Sequence, residues 1–414
     1  MRGGIRLGVN AQTFGQRPAA WQVQDVAPDA PLGAEFWLGI ARIAERGLID
    51  TLFFADHPAY VEPNPRPLGL LEPIAPAAEI LGATESVGVV VSASTGYNDP
   101  IDLAARLLTL DVASGGRAGW NLVTTYSPDV AGNFGADANP PRPERYARAE
   151  EFAALVRALW DAPEGTVATG PGPRFPVDVL AALPRSPQGA PVVFQAGGSA
   201  PGRELAARHA DGVFAVELGL DRARANRDGL RRRAREIGRA TAPAVFPGLS
   251  LVLGGTEEEA RARYDDMESR VAPTYMLGAL GAVLGADAGA LPLDEPIPAE
   301  LLDAPWDRDA HTASVGYRET FLDWIAPRRG TPVREVLRHF GGYGARIVIG
   351  TPEQVADDME RWHRAGAADG FNLMLDRYPD GLAEFVDHVV PLLQERGVYR
   401  REPPAPTLRA RLQG

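Results

Sequence analysis

The chain has 414 residues, 45% hydrophobic and 23% charged, with a formal net charge of -12. That is the make-up of an ordinary globular protein with a sizeable core, and the negative balance argues against a nucleic-acid partner, whose phosphates demand a basic face. There is no cysteine and no lysine, so all 42 basic side chains are arginine, which excludes disulfides, thiolate metal sites, cysteine nucleophiles, Schiff-base lysines and Walker-type lysines.

The opening MRGGIRLGVN has no apolar run of signal-peptide length, and no stretch approaches the ~20 apolar residues of a membrane span; a cytoplasmic, membrane-free location is expected. Ile5 to Val9 reads as a strand and Ala34 to Glu45 as a helix with Phe36, Ile40 and Ile43 on one stripe. Thr51 to Ala55 is a second strand, running into Asp56 and His57, and Val87 to Val91 a third, running into Ser92 to Gly96. Ile101 to Ala113 predicts a helix closed by Gly115 and Gly116; the strand Arg117 to Thr125 and the helix Glu144 to Trp160 follow, with Tyr146 in the helix's first turn. Next come the strand Val192 to Gln195, the helix Pro201 to His209 and the strand Gly212 to Val216. The outer helix Leu220 to Ile237 carries Arg231, Arg232, Arg233 and Arg235 as a solvated face, and Ala244 to Leu253 is a strand.

From about Ala272 to Gly344 the periodicity is weak, which predicts a large insertion near one barrel mouth. The rhythm resumes with the strand Arg346 to Ile349 and a helix opened by Thr351, Pro352 and Gln354. The strand Gly370 to Leu375 and the helix Leu382 to Arg396 close it. About eight strand–helix pairs with no G-x-G-x-x-G turn favour an α/β fold of the (β/α)8 TIM-barrel type, with insertions, over a doubly wound sheet.

In such a barrel the active site forms at the C-terminal ends of the strands, which singles out Asp56, His57, Ser92, Ser94, Asn121, Thr125, Gln195 and Ser199. In QAGGSAPG, the turn Gly197, Gly198, Ser199 meets a helix N-terminus, where free N–H groups and the dipole can hold a phosphate without lysine; equally, Ser199 can be a plain helix cap. Alternation places Asn121, Val123 and Thr125 on one strand face, so an inward Asn121 can offer donor and acceptor to a flavin or pyrimidine-like ring, or be a buried amide satisfied by its neighbours. Asp56 can accept from a ring N–H or orient His57, or simply form a turn. Tyr146 can reach a phosphate or pack against its helix's surroundings. The six histidines, His57, His209, His311, His339, His363 and His388, show no metal-ligand spacing, and His363 and His388 are expected at the surface.

The segments GWNLVTT, NFGA, RYARAEEF, QAGGSAPG, IGTPEQVADDME, DGFNLM, VVPLLQERGVYR and TLRARL, in this order, resemble the nitrilotriacetate, EDTA, dibenzothiophene-sulfone and long-chain alkane monooxygenases. These are flavin-dependent oxygenases of the bacterial-luciferase superfamily. The resemblance runs from about Ile5 to the last few residues. It implies a TIM barrel, homodimeric or homotetrameric, with FMN at the C-terminal mouth and a variable substrate-side insertion. By resemblance, Gly198, Ser199 and Tyr146 hold the FMN phosphate, while Asp56, Ser94, Asn121 and Thr125 approach the ring. Relatives commonly carry histidine four residues before the tyrosine; Arg142 stands there, able to bind a phosphate but not to act as an acid or base near neutral pH.

The implied reaction uses reduced FMN from a separate NAD(P)H-dependent reductase and O2, through a flavin hydroperoxide, to oxidise a small organic substrate. His57 is the first candidate for a proton donor and His311 its competitor. The rivals are a deazaflavin-dependent reductase or dehydrogenase of the same superfamily, a catalytically silent flavin-binding barrel, and a hydrolase using paired carboxylates. The last is disfavoured because only Asp56 stands at a convincing strand end. The apolar insertion, with Leu291, Leu293, Ile297 and Trp306, hints at a neutral or aromatic substrate.

Overall fold

Short runs rich in β-branched and aromatic residues become the staves of a barrel. The computed structural model describes residues 4–56, 58–59, 71–180, 184–306, 315–340 and 345–413. Its strands are β1 (Arg6–Ala11), β2 (Thr51–Phe54), β3 (Gly88–Ser94), β4 (Ala118–Val123), β5 (Val167–Thr169), β6 (Asp178–Leu180), β7 (Val192–Gln195), β8 (Gly212–Ala215), β9 (Ala244–Leu253), β10 (Arg346–Gly350) and β11 (Gly370–Leu375). Eight of them pair in parallel in the cyclic order β1, β2, β3, β4, β7, β8, β9, β11 and back to β1. This is the closed TIM barrel expected. β5 and β6 form a separate antiparallel hairpin, which sequence reading did not anticipate.

One predicted stave is displaced. β9 pairs with β8 along residues 244–247 and with β11 along 248–251, while β10 pairs with residues 249–253. A strand has only two edges, so β10 takes the edge of β9 that β8 leaves open above it. Arg346–Gly350 therefore extends the wall at the mouth and is not a ninth stave.

Alternation decides what faces the lumen. On β3, Val89, Val91 and Ala93 join the outer core against the helices, whereas Val90 points inward with Phe53, Val192, Phe194, Ala244 and Phe246. Leu408 and Leu412 of the helix Leu408–Gln413 complete this inner cluster. That helix lies at the N-terminal ends of the strands, where the Leu408 N–H donates to the Gly116 carbonyl at 2.9 Å. The lower lumen is thus apolar and closed, and the inward positions nearer the mouth are polar: Asn10, Ser92, Ser94 and Asn121.

The stretch expected to be an insertion forms the helices Pro273–Leu284, Ala299–Leu302, Val315–Ile325 and Val333–Phe340, which share their own core around Leu277, Leu280, Leu284, Phe321, Ile325 and Val336. Its periodicity is weak because Pro273–Leu284 buries Met276, Leu277, Leu280, Gly281, Val283 and Leu284, more than a single stripe. In the closing helical segment, a π turn at Phe385–Val389 separates Asp380–Glu384 from Val390–Glu395. Pro391 has no N–H to continue the ordinary ladder.

Two surface expectations fail. His363 is only 9% exposed, with Nδ1 3.3 Å from the Ala368 carbonyl, because its helix Pro352–Arg364 packs that side on the barrel. Arg231 is not wholly solvated: its Nη2 donates to Asp369 at 2.7 Å, beside the buried Arg227. Among the described residues no helix is long and apolar enough to cross a membrane, and no cluster of three or more His, Cys, Asp or Glu could hold a metal.

Candidate active site

The turn after β7 is built by its own side chains. Gln195 accepts from the Gly197 N–H at 2.8 Å, and a Cβ on Gly197 would lie 2.4 Å from Gln195 Nε2 and 3.1 Å from the Gly202 Cα, so a side chain there would push the Gln195 amide aside and crowd the Gly202 backbone. Ser199 caps the helix Ala200–His209, its Oγ accepting from the Gly202 N–H at 3.3 Å. Tyr146 reaches the same hydroxyl, Oη to Oγ 3.2 Å. The cap and the binding role are therefore compatible in one residue. Gly198 stands exposed between them, and the positive end of the helix dipole adds to the local donors.

Tyr146 comes from the helix Arg142–Asp161, which starts two residues earlier than its apolar pattern suggests, so Tyr146 lies just past the first turn. Arg142, at the first helical position, sets its guanidinium 5.7 Å from the Tyr146 ring centroid, within cation–π range. A permanent positive charge thus stands beside the Tyr146–Ser199 pair.

The ring-side candidates gather across β3 and β4. Ser92 and Asn121 are register partners, and Asn121 Nδ2 donates to Ser92 Oγ at 2.8 Å. Asn121 is 4% exposed, and its Oδ1 has no hydrogen-bond partner among the described residues. An orphaned buried carbonyl costs about 1–3 kcal/mol, so this acceptor is open to a donor that is not among the described residues.

Thr125 does not continue the alternation, because β4 ends at Val123 and Thr125 has φ +39°. A β-branched residue in the left-handed region is strained by about 1–3 kcal/mol. It is held there from two sides: Thr125 Oγ1 donates to Ser94 Oγ at 2.6 Å, and Arg145 Nη1 donates to the Thr125 carbonyl at 2.6 Å. Asp56 lies two residues past β2 and is half-buried. His57 and His311 lie outside the described residues.

Sequence reasoning missed Arg145, although it stands in the RYARAEEF segment already singled out. It also missed Glu217, two residues past β8 and 3% exposed. Asn226 donates to Glu217 Oε1 at 2.7 Å, Oε2 has no partner among the described residues, and burial pushes this carboxyl above its usual range against the pull of Asn226, Arg222 and Arg203. Gly316 is a third: a Cβ there would lie 2.8 Å from the Gly198 carbonyl carbon and 3.0 Å from the Ser199 nitrogen. The insertion helix Val315–Ile325 therefore rests directly on the Gly198–Ser199 turn.

A closed parallel barrel with a glycine turn and helix N-terminus after one strand, and on another a buried amide oxygen with no partner among the described residues, has the architecture of an α/β-barrel enzyme with its polar groups gathered at the mouth. The family model for luciferase-like monooxygenases matches residues 20–369. The chain is 36% identical over 427 residues to N-acetyl-S-(2-succino)cysteine monooxygenase of Bacillus subtilis (strain 168), covering 98% of this chain and 95% of that protein. It is 34% identical over 442 residues to nitrilotriacetate monooxygenase component A of Aminobacter aminovorans, covering 99% and 96%. Among solved structures it superposes with a TM-score of 0.84 and 28% identity on a riboflavin lyase with modified FMN and riboflavin, covering 99% of this chain and 96% of the other. The chain belongs to the luciferase-like monooxygenase family, and its chemistry is that of a flavin-dependent monooxygenase.

Proposed function

We propose that this chain is the oxygenase component of a two-component system, taking reduced FMN from a separate NAD(P)H-dependent flavin reductase and using O2 to oxidise a small organic substrate. The observation that carries the reading is the Tyr146–Ser199 pair at the exposed Gly198 turn, set in the same barrel mouth as the orphaned Asn121 carbonyl. A relative named as a component A and a structural neighbour containing modified FMN support it.

In this reading Gly198, Ser199, Tyr146 and Arg142 bind the phosphate, and Asn121, Ser94, Thr125 and Asp56 orient the ring. The bound flavin supplies the activation of O2. The chain's own residues do the rest: the Asn121 Oδ1 accepts from a ring N–H, the closed apolar floor under the mouth keeps bulk water away, and the insertion covers the substrate side. His57, following Asp56, is the proton donor, with His311 the alternative. The assembly is a homodimer or homotetramer in the cytoplasm.

Anaerobic titration of the purified protein with reduced FMN and with a reduced deazaflavin, followed by admission of O2, tests this. Tight binding of reduced FMN and oxygen uptake stimulated by substrate are expected. Preference for the deazaflavin without oxygen uptake would replace the proposal with a hydride-transfer enzyme, and binding without substrate-stimulated uptake would leave a silent flavin carrier. His57→Ala should abolish product while sparing FMN binding; unchanged turnover would remove His57 from the mechanism.

A further inference from the structure

The chain carries five methionines and no cysteine, so thioethers are its only sulfur. Met267 packs with Val252 and Tyr264, Met276 lies in the core of the insertion, and Met359 lies in the outer core between strands and helices. Met374 is placed differently. On β11, Phe371, Leu373 and Leu375 belong to the outer core, and alternation turns Gly370, Asn372 and Met374 to the lumen. Met374 is buried, one residue short of the C-terminal end of its strand.

Its height in the barrel follows from its neighbours. Gly370, at the start of β11, lies by Phe246 of the apolar floor, where a Cβ would stand 2.7 Å from Cε1 of that ring. Met374 is four residues further on, about 13 Å along the strand at ~3.3 Å per residue. Phe53 and Phe214 of the same floor cluster, from the opposite staves β2 and β8, bring their rings to 5.9 Å across the lumen. A Cβ on Gly248 would meet both levels, 3.0 Å from Phe214 Cε2 and 3.2 Å from Met374 Sδ. The sulfur therefore sits on the mouth side of the aromatic pair, over a position of β9 that has no side chain, and its register partner is the buried Ser250. Among the described residues it is the one sulfur on the wall that Asn10, Ser92, Ser94 and Asn121 otherwise make polar.

We propose that Met374 is a self-oxidation site: peroxide made in the barrel mouth when reduced flavin meets O2 without an organic substrate converts its thioether to the sulfoxide. The proposal rests on the monooxygenase reading, which supplies the peroxide. Two electrons and two protons pass from the reduced flavin to O2, giving hydrogen peroxide. A lone pair on Sδ takes one peroxide oxygen; the O–O bond breaks, an S–O bond forms, and the other oxygen leaves as water with both protons. The sulfoxide is polar and larger than the thioether, and it forms beside Phe214 and the Gly248 backbone, directly under the ring-side residues. Oxidised protein therefore holds reduced FMN less tightly, and idle turnover limits the enzyme's own lifetime.

Turnover of the full-length protein with FMN, NAD(P)H and a flavin reductase in air, without organic substrate and with catalase to clear peroxide from solution, tests this. Cleavage at arginine leaves Met267, Met276, Met359 and Met374 on separate peptides, Met374 on residues 365–377, and mass spectrometry reads the added oxygen at each. Sulfoxide at Met374 at least fivefold above the other three is expected. In a parallel sample given hydrogen peroxide without FMN or catalase, that preference should vanish. Met374→Leu, a swap close in volume, should bind FMN within twofold of the unaltered protein and keep that affinity after turnover, whereas the unaltered protein should lose at least threefold. FMN binding and oxygen uptake with Met374 spared, or oxidised no more than its three counterparts, or equally favoured by peroxide from solution, would overturn the self-oxidation site and leave the flavin reading standing. Failure to bind FMN in a fluorescence titration would remove that reading and this proposal with it.

Discussion

Tyr146 and Ser199 are one unit at the level of single hydroxyls. Tyr146→Phe removes one donor from the turn and leaves the ring's packing, so FMN affinity should fall about tenfold, the ~1.4 kcal/mol of one charge-assisted hydrogen bond, with the melting temperature unchanged. Ser199→Ala additionally loses the helix cap, worth about 1 kcal/mol, and should lower both affinity and melting temperature. Flavin fluorescence titration of the two variants and their double mutant should show a combined loss smaller than the sum, since each removes the other's partner.

Glu217 makes a different kind of prediction. Burial raises this carboxyl above its ordinary value, so it favours the folded state while protonated. The unfolded chain ionises it first as pH rises, and stability present below about pH 4 is lost on going through the raised value. Glu217→Gln keeps the Asn226 contact without a charge. Its melting temperature should overtake that of the unaltered protein progressively as pH rises above the ordinary carboxylate range; parallel curves would show that Glu217 is not the source.

At the scale of elements, the contact between two chain segments far apart in sequence governs the site. Gly316 lets the insertion helix approach Gly198 and Ser199. Gly316→Val must displace either the helix or the turn, and reduced-FMN affinity should drop at least tenfold while far-ultraviolet circular dichroism stays near its original shape. Strands buried on both sides were legible: Val192–Gln195, Ala244–Leu253 and Gly370–Leu375 end where their apolar runs end. So was the start of Pro352–Arg364, where Thr351 and Gln354 exchange both capping-box bonds. The displacement of β10, the helices of the insertion and the strained turn at Thr125 were not. Each depends on a partner that local pattern does not name: the open edge of β9, the separate core around Phe321, and Arg145 from the next helix. The candidate residues of the site were legible as strand-end polar groups; their pairing into Ser94–Thr125, Ser92–Asn121 and Tyr146–Ser199 needed the barrel.

Across the whole molecule, apolar packing at one end of the lumen supports polar chemistry at the other. Leu408 is fully buried in the same cluster as Phe53, Phe194 and Phe246, so Leu408→Ala should cost about 2–5 kcal/mol, read as a lower urea midpoint with an unchanged slope. The site should survive at low temperature, since the cavity opens on the floor and leaves Ser199 and Asn121 in place.

The same helix bears on how the protein is made. Residues 408–413 seal strands that begin at Arg6, and β1 finds one of its two neighbours only in β11. While the chain leaves the ribosome, the early strands therefore wait with an open edge and an unplugged interior until almost everything after them has been synthesised. Long-range closure of this sort slows folding and exposes apolar surface to other chains. Slowing translation ahead of β11 would prolong that exposure, and the yield of active protein should then depend on chaperone supply.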